Sequence, residues 1–147
     1  MIKKAPLYEN IYQNAIITIN KFESIDKRIS EASIFYKVNP NDYFLNYNLG
    51  KWYGQYKNNI DTAIYFLEKA VRFNKNSKEA LKDLGVAYGF SQRYTDAVAV
   101  LQRVLKLDPN DEQTYFNLGL TYSFLGEHKS ALQYFEYLAT QFPQNSS

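Results

Sequence analysis

Apolar residues recur at intervals of three and four along most of the chain, the signature of helices that bury one face. Leu81, Leu84, Ala87 and Tyr88 keep that spacing, and so do Ala97, Val100, Leu101, Val104 and Leu105. The pattern predicts helices over 43–56, 60–73, 78–91, 94–107, 112–125 and 128–141. Upstream, Ile11, Ala15, Ile16 and Ile19 fit one further amphipathic helix, and Ile25, Ile29, Ala32, Phe35 and Tyr36 fit another. Pro109 stops one helix, and Asn110-Asp111 offers side chains that cap the next. Val38-Asn39-Pro40-Asn41-Asp42 mirrors Leu107-Asp108-Pro109-Asn110-Asp111, so the same kind of boundary closes the N-terminal pair.

The helices carry a repeat. Leu49-Gly50-x-x-Tyr53 returns as Leu84-Gly85-x-x-Tyr88 and as Leu118-Gly119-x-x-Tyr122, at spacings of 35 and 34 residues. Downstream, Ala63, Ala97 and Ala131 recur at 34 and 34, each followed by a large apolar residue, Leu67, Leu101 or Phe135. One extra residue therefore lies between Tyr53 and Ala63, where Lys57-Asn58-Asn59 reads as the turn that absorbs it. Gly50, Gly85 and Gly119 fall inside helices, where glycine costs ~1 kcal/mol relative to alanine. A cost that returns with the period points to close helix approach, with each tyrosine lying across the facing helix one turn on.

The Leu-Gly-x-x-Tyr … Ala-x-x-x-Leu/Phe … Pro pattern, closing on Pro109 and Pro143, resembles the tetratricopeptide repeat. The resemblance covers about residues 43–145. It implies an all-α fold, a right-handed α-solenoid of antiparallel helix pairs. The expected organisation is a degenerate N-terminal helix pair or cap over 1–42 and three repeats over 43–147, at about 43–77, 78–111 and 112–145, all in one structural domain. The first copy departs at Asn46, where the family prefers a bulky residue, and at Lys75, which replaces the proline.

In this family the first helix of each pair lines a concave face. By resemblance the groove columns here read Tyr47/Lys82/Phe116, Lys51/Val86/Leu120 and Gln55/Phe90/Phe124, with Phe44/Glu79/Gln113 one turn earlier. Phe116, Leu120 and Phe124 lie four apart on one helix, while Leu118, Gly119 and Tyr122 already supply its packing face. The expected function is a protein–protein interaction module that binds a partner peptide or helix in an aromatic groove centred on Phe90, Phe116, Leu120 and Phe124. Tyr47, Phe44 and Val86 flank the groove, and Glu79, Lys82, Asp83 and Lys51 tune its charge. The competing reading packs these aromatics on one another or on the second helices.

The family's best-known ligands are acidic C-terminal tails of heat-shock chaperones, held by a Lys/Asn/Asn/Lys/Arg carboxylate clamp. Here the clamp positions read Tyr47, Lys51, Asp83, Gln113 and Asn117, of which only Asn117 is compatible in size and polarity. Binding of such tails is therefore not expected. Repeat arrays commonly end in a polar-faced helix, and only Gln144-Asn145-Ser146-Ser147 follows Pro143. That suggests self-association through an uncapped C-terminal end, a structural or oligomerisation role, or service as the accessory domain of a larger membrane or transferase protein.

Composition narrows the rest. The 147 residues carry a net charge of +2 with no dense basic block, which leaves nucleic acid and anionic membranes without an electrostatic footprint. The chain has no cysteine and one histidine, His128 near a helix start, and its six glycines are scattered. No phosphate loop, nucleophile elbow or zinc motif is present, so neither catalytic residues, metal ligands nor a cofactor are expected. Glu79 and Asp83 form a helical i,i+4 pair interleaved with Lys78 and Lys82, the pattern of a solvated face. No apolar core of signal length follows Lys3-Lys4-Ala5-Pro6, so the chain taken as complete reads as cytoplasmic, an inference that lapses for an excised domain.

Overall fold

The computed structural model describes residues 10–143. It contains eight helices in that range: α1 (Ile11–Ile19), α2 (Ile25–Val38), α3 (Tyr43–Tyr56), α4 (Ile60–Phe73), α5 (Lys78–Phe90), α6 (Tyr94–Leu107), α7 (Glu112–Phe124) and α8 (His128–Gln141). Every helix expected from the periodicity is present, with ends displaced by at most one residue. The chain forms two compact units, Met1–Lys75 and Asn76–Ser147, which part at the boundary between the first and second repeats.

The starts of α2, α3, α4, α5 and α7 are fixed by a side chain that accepts an otherwise orphaned backbone N–H. Asp42 takes the N–H of Leu45 at 2.9 Å, Asn59 that of Thr62 at 3.1 Å, Ser77 that of Ala80 at 3.1 Å and Asp111 that of Thr114 at 3.0 Å. The turn after each first helix closes by a backbone bond, Arg93 N–H to Tyr88 O and Glu127 N–H to Tyr122 O. In the first repeat the corresponding bond runs from Asn59 to Tyr53 and encloses one residue more. The extra residue is held there, with Asn58 at φ 48°.

In the first unit, α3 and α4 pack face to face, and α1 and α2 lie on α3. Ile16, Ile19 and Ala32 from the leading pair meet Leu45, Leu49 and Trp52 of α3 in one buried cluster. Gly50 marks the closest approach of α3 and α4, since a Cβ there would stand 2.7 Å from Leu67 Cγ. Tyr53 stacks on Phe66 of α4 at 5.8 Å, as its place in the repeat requires.

Neither departure in this copy loosens it. Asn46 is fully buried and its Nδ2 donates to Pro40 O at 2.9 Å and Asp42 O at 2.7 Å. Tyr115, at the equivalent place of the last copy, donates its hydroxyl to Pro109 O at 2.9 Å, so two different side chains hold the same proline carbonyl. Lys75 is equally well accommodated. Asn74 before it adopts φ −138°, ψ 89°, nearly the −139°, 93° of Asp108, the extended backbone that a following proline enforces.

The second unit repeats the design. α5 packs on α6, α7 on α6, and α8 on α7. Gly85 and Gly119 are the contact points within the two pairs, with added Cβ atoms 2.7 Å from Leu101 Cδ2 and 2.6 Å from Phe135 Cε1. Gly89, one turn past Gly85, has nothing within 4 Å of such a Cβ. Gly89→Ala is therefore expected to raise stability by about 0.5–1 kcal/mol through helix propensity alone, read as a higher urea midpoint at unchanged m-value.

Candidate functional site

The open space at Gly89 belongs to a cleft of about 370 Å³ between α5, α6 and α7. Gly85, Val86, Gly89 and Phe90 of α5, Gln92 in the turn, Tyr94 and Leu101 of α6, and Asn117, Leu120, Thr121 and Phe124 of α7 line it. No lining side chain is charged. Phe90 is 74% exposed and Phe124 67%, extreme values for rings of that size. Phe124 lies flat on Tyr94, with centroids 5.4 Å apart and planes 6° from parallel, so one wall is a fixed aromatic face. Asn117 contributes a polar atom in an unusual state: its Nδ2 is covered and has no hydrogen-bond partner.

Five of the residues expected from sequence thus meet around one cleft: Val86, Phe90, Asn117, Leu120 and Phe124. Phe116 does not join them. Side chains four apart advance 400° around a helix, so two such steps turn the stripe by about 80°. Phe116 instead faces a second cleft with Phe135, their centroids 6.1 Å apart.

The charged candidates divide as well. Lys82 lies against the foot of α7, donating to Asp111 Oδ2 at 3.0 Å, and Lys78 donates to Asp108 Oδ2 at 2.8 Å. Burial works to raise the Asp111 pKa, but hydrogen bonds from Thr114 and Lys82 outweigh it and hold the carboxyl below its ordinary value. Glu79 is exposed on the first turn of α5, and Asp83 is half-buried. In the first unit Phe44 packs against the core cluster, Tyr47 stacks on Tyr43 at 5.8 Å, and Lys51 is half-buried.

Sequence reasoning missed the Lys78–Asp108 and Lys82–Asp111 bridges and a tyrosine cluster on α7 and α8. Tyr115 stacks on Tyr137 at 4.4 Å and Tyr122 on Tyr134 at 5.4 Å. Burial, with Tyr137 alongside, pushes the Tyr115 hydroxyl up to about 12. The lysine bridges had a sequence signal, since Lys78 and Lys82 lie one turn apart ahead of Asp108 and Asp111. Among the described residues no group of three or more His, Asp or Glu side chains is placed to hold a metal, and no helix is long and apolar enough to cross a membrane.

Residues 91–126 match the sequence profile of a TPR repeat family, and residues 112–141 match the tetratricopeptide repeat profile. Residues 91–141 are tetratricopeptide repeats. Solved tetratricopeptide-repeat structures share the chain's fold. A crystal structure of MamA is 26% identical, with 97% of this chain and 77% of that one covered at a TM-score of 0.77. A second MamA crystal structure is 28% identical, covering 91% and 73% at 0.81. YrrB, described as a TPR protein with an unusual peptide-binding site, is 20% identical and covers 90% and 68% at 0.80. No curated protein matches the chain at a significant level. The repeats and the fold shared with these structures support a protein-interaction module.

Proposed function

We propose that the second unit binds a partner peptide in the aromatic cleft between α5 and α7. The observation that carries this reading is the exposure of Phe90 and Phe124 at the mouth of a neutral, apolar cleft. Apolar surface gathered in this way marks interaction sites. At about 370 Å³ the cleft suits one or two large apolar side chains. Asn117 supplies a polar handle. Turning its amide over presents the NH₂ to the cleft, where it can donate to the carbonyl of a bound chain. Glu79 belongs to this reading only as an outer contact residue, and Phe44, Tyr47 and Lys51, in the first unit, are not part of it. Phe116 and Lys82 serve the helix edges, and Asp83 flanks Lys82.

The test is a Phe90→Glu/Phe124→Glu variant, assayed by calorimetry against peptides selected on the wild-type chain from a random displayed library. Both side chains are exposed, so helix content should be unchanged. Aromatic anchors of an interface contribute about 2 kcal/mol or more each, so affinity should fall roughly a hundred-fold or further. Equal affinity in wild type and variant for every selected peptide defeats the reading. Acidic chaperone tails are expected not to bind, since Lys82 and Lys78 are engaged by Asp111 and Asp108; a micromolar titration with such a peptide checks this. A second reading, assembly through the ends of the array, is favoured by the open cleft beside Phe116.

A further inference from the structure

Inside the second unit α7 lies over α6 and buries Leu101 and Val104, which are 1% and 0% exposed. A shift of 34 residues carries that floor to Phe135 and Leu138 of α8. There it lies open, in a cleft of about 550 Å³ that Glu112, Phe116, Ala139 and Phe142 also line. The far edge of the unit is thus a second copy of the seat that α7 occupies on α6, and no helix among the described residues fills it.

The foot of the open seat differs in charge. In the occupied seat Lys78 and Lys82 receive the carboxylate of Asp111, the cap of the incoming helix. The same shift places Glu112 and Phe116 at those positions, so a helix with an acidic start is repelled there. That disfavours α3 and α7, capped by Asp42 and Asp111, and α5, with Glu79 in its first turn. α1 starts differently. It is capped by Asn10, has no acidic residue in its first turn, and brings the positive end of its dipole toward Glu112. Lys3 and Lys4 outweigh Glu9 in the sequence just ahead of it.

The outward face of α1 also fits. Ile16 and Ile19 are buried, while Ile17 is 54% exposed between the exposed Asn14 and Thr18. Ile17 thus offers the open Phe135–Leu138 floor an apolar side chain set among short polar ones.

We infer that the α7–α8 edge of one chain receives α1 of a second copy, joining chains head to tail. The two surfaces are different, so the contact is heterologous and each joined copy still offers one free edge and one free α1. It uses neither Phe90 nor Phe124, and stands independently of peptide binding.

Light scattering on the intact chain provides the test. Wild type should gain mass steadily with concentration. Ile17→Arg and Ala139→Arg alter exposed side chains at the two contact surfaces, and each alone should stay monomeric with unchanged helix content. Mixed, they should form a heterodimer and nothing larger, because the Ile17→Arg chain keeps its edge and the Ala139→Arg chain keeps its α1. A wild type that remains monomeric at its highest soluble concentration overturns the inference. So does association that survives both substitutions, or a mixture that stays monomeric.

Discussion

Asp111→Ala is expected to lower stability by about 2–3 kcal/mol, the largest effect of any side chain outside the apolar core. Asp111 is nearly buried and its carboxylate serves four groups: the Thr114 N–H at 3.0 Å, the Thr114 hydroxyl at 2.8 Å, Lys82 at 3.0 Å and Lys78 at 3.5 Å. Losing the cap alone costs ~1 kcal/mol. The buried Thr114 donors left without an acceptor add ~1–3 kcal/mol, partly recovered as Thr114 turns toward other oxygens. The effect depends on pH. A carboxyl whose pKa is lowered by folding stabilises above its unfolded pKa and loses that contribution as pH falls through the folded one. Urea melts should therefore separate wild type from variant widely at neutral pH and bring them together in acid. Asp42 runs the other way: burial raises its pKa, so its share of stability is present in acid and lost as pH rises through the folded value.

Gly85→Ala should be destabilising by up to about 2 kcal/mol although alanine is the better helix former. The added carbon would stand 2.7 Å from both Leu101 Cγ and Cδ2 and 3.3 Å from Val100 Cγ2. Leu101 is 1% exposed beneath α7 and can give way only toward the cleft it borders. Overpacking of this kind costs ~1–3 kcal/mol, against ~1 kcal/mol returned by propensity. Gly119→Ala meets the Phe135 ring at 2.6 Å, but that ring borders the open α8 edge and has room to swing, so its loss should be smaller. With Gly89→Ala stabilising, the three glycines form a graded series readable from urea midpoints.

The repeat made most of the fold legible. Glycine at period 34–35 announced the close helix contacts because no other reason explains a recurring helical glycine, and each contact is found where the spacing put it. The polar punctuation was equally direct, since a cap is a local bond between neighbours in sequence. Long side chains were not legible in this way. Lys82 falls in a groove column by register, yet its amine reaches Asp111, 29 residues on, because α7 begins beside it. Phe44 reads as a groove residue and packs on the N-terminal cluster, which the sequence outlined without fixing where it docks. Phe116 shares its spacing with Leu120 and Phe124, but the helix turns it toward the other edge. Local pattern sets which face a residue occupies, whereas the neighbour it meets there is decided by helices far away in sequence.

The most direct measurement of the proposed function is a methyl NMR titration of the chain with a library-selected peptide. Val86 and Leu120 lie at the cleft mouth, Val104 and Leu118 are buried in the same unit, and Ile17 lies on α1 in the other. The cleft account predicts saturable shifts largest at Val86 and Leu120, with Ile17 unmoved. A tightly bound peptide that leaves Val86 and Leu120 in place while shifting methyls elsewhere contradicts it.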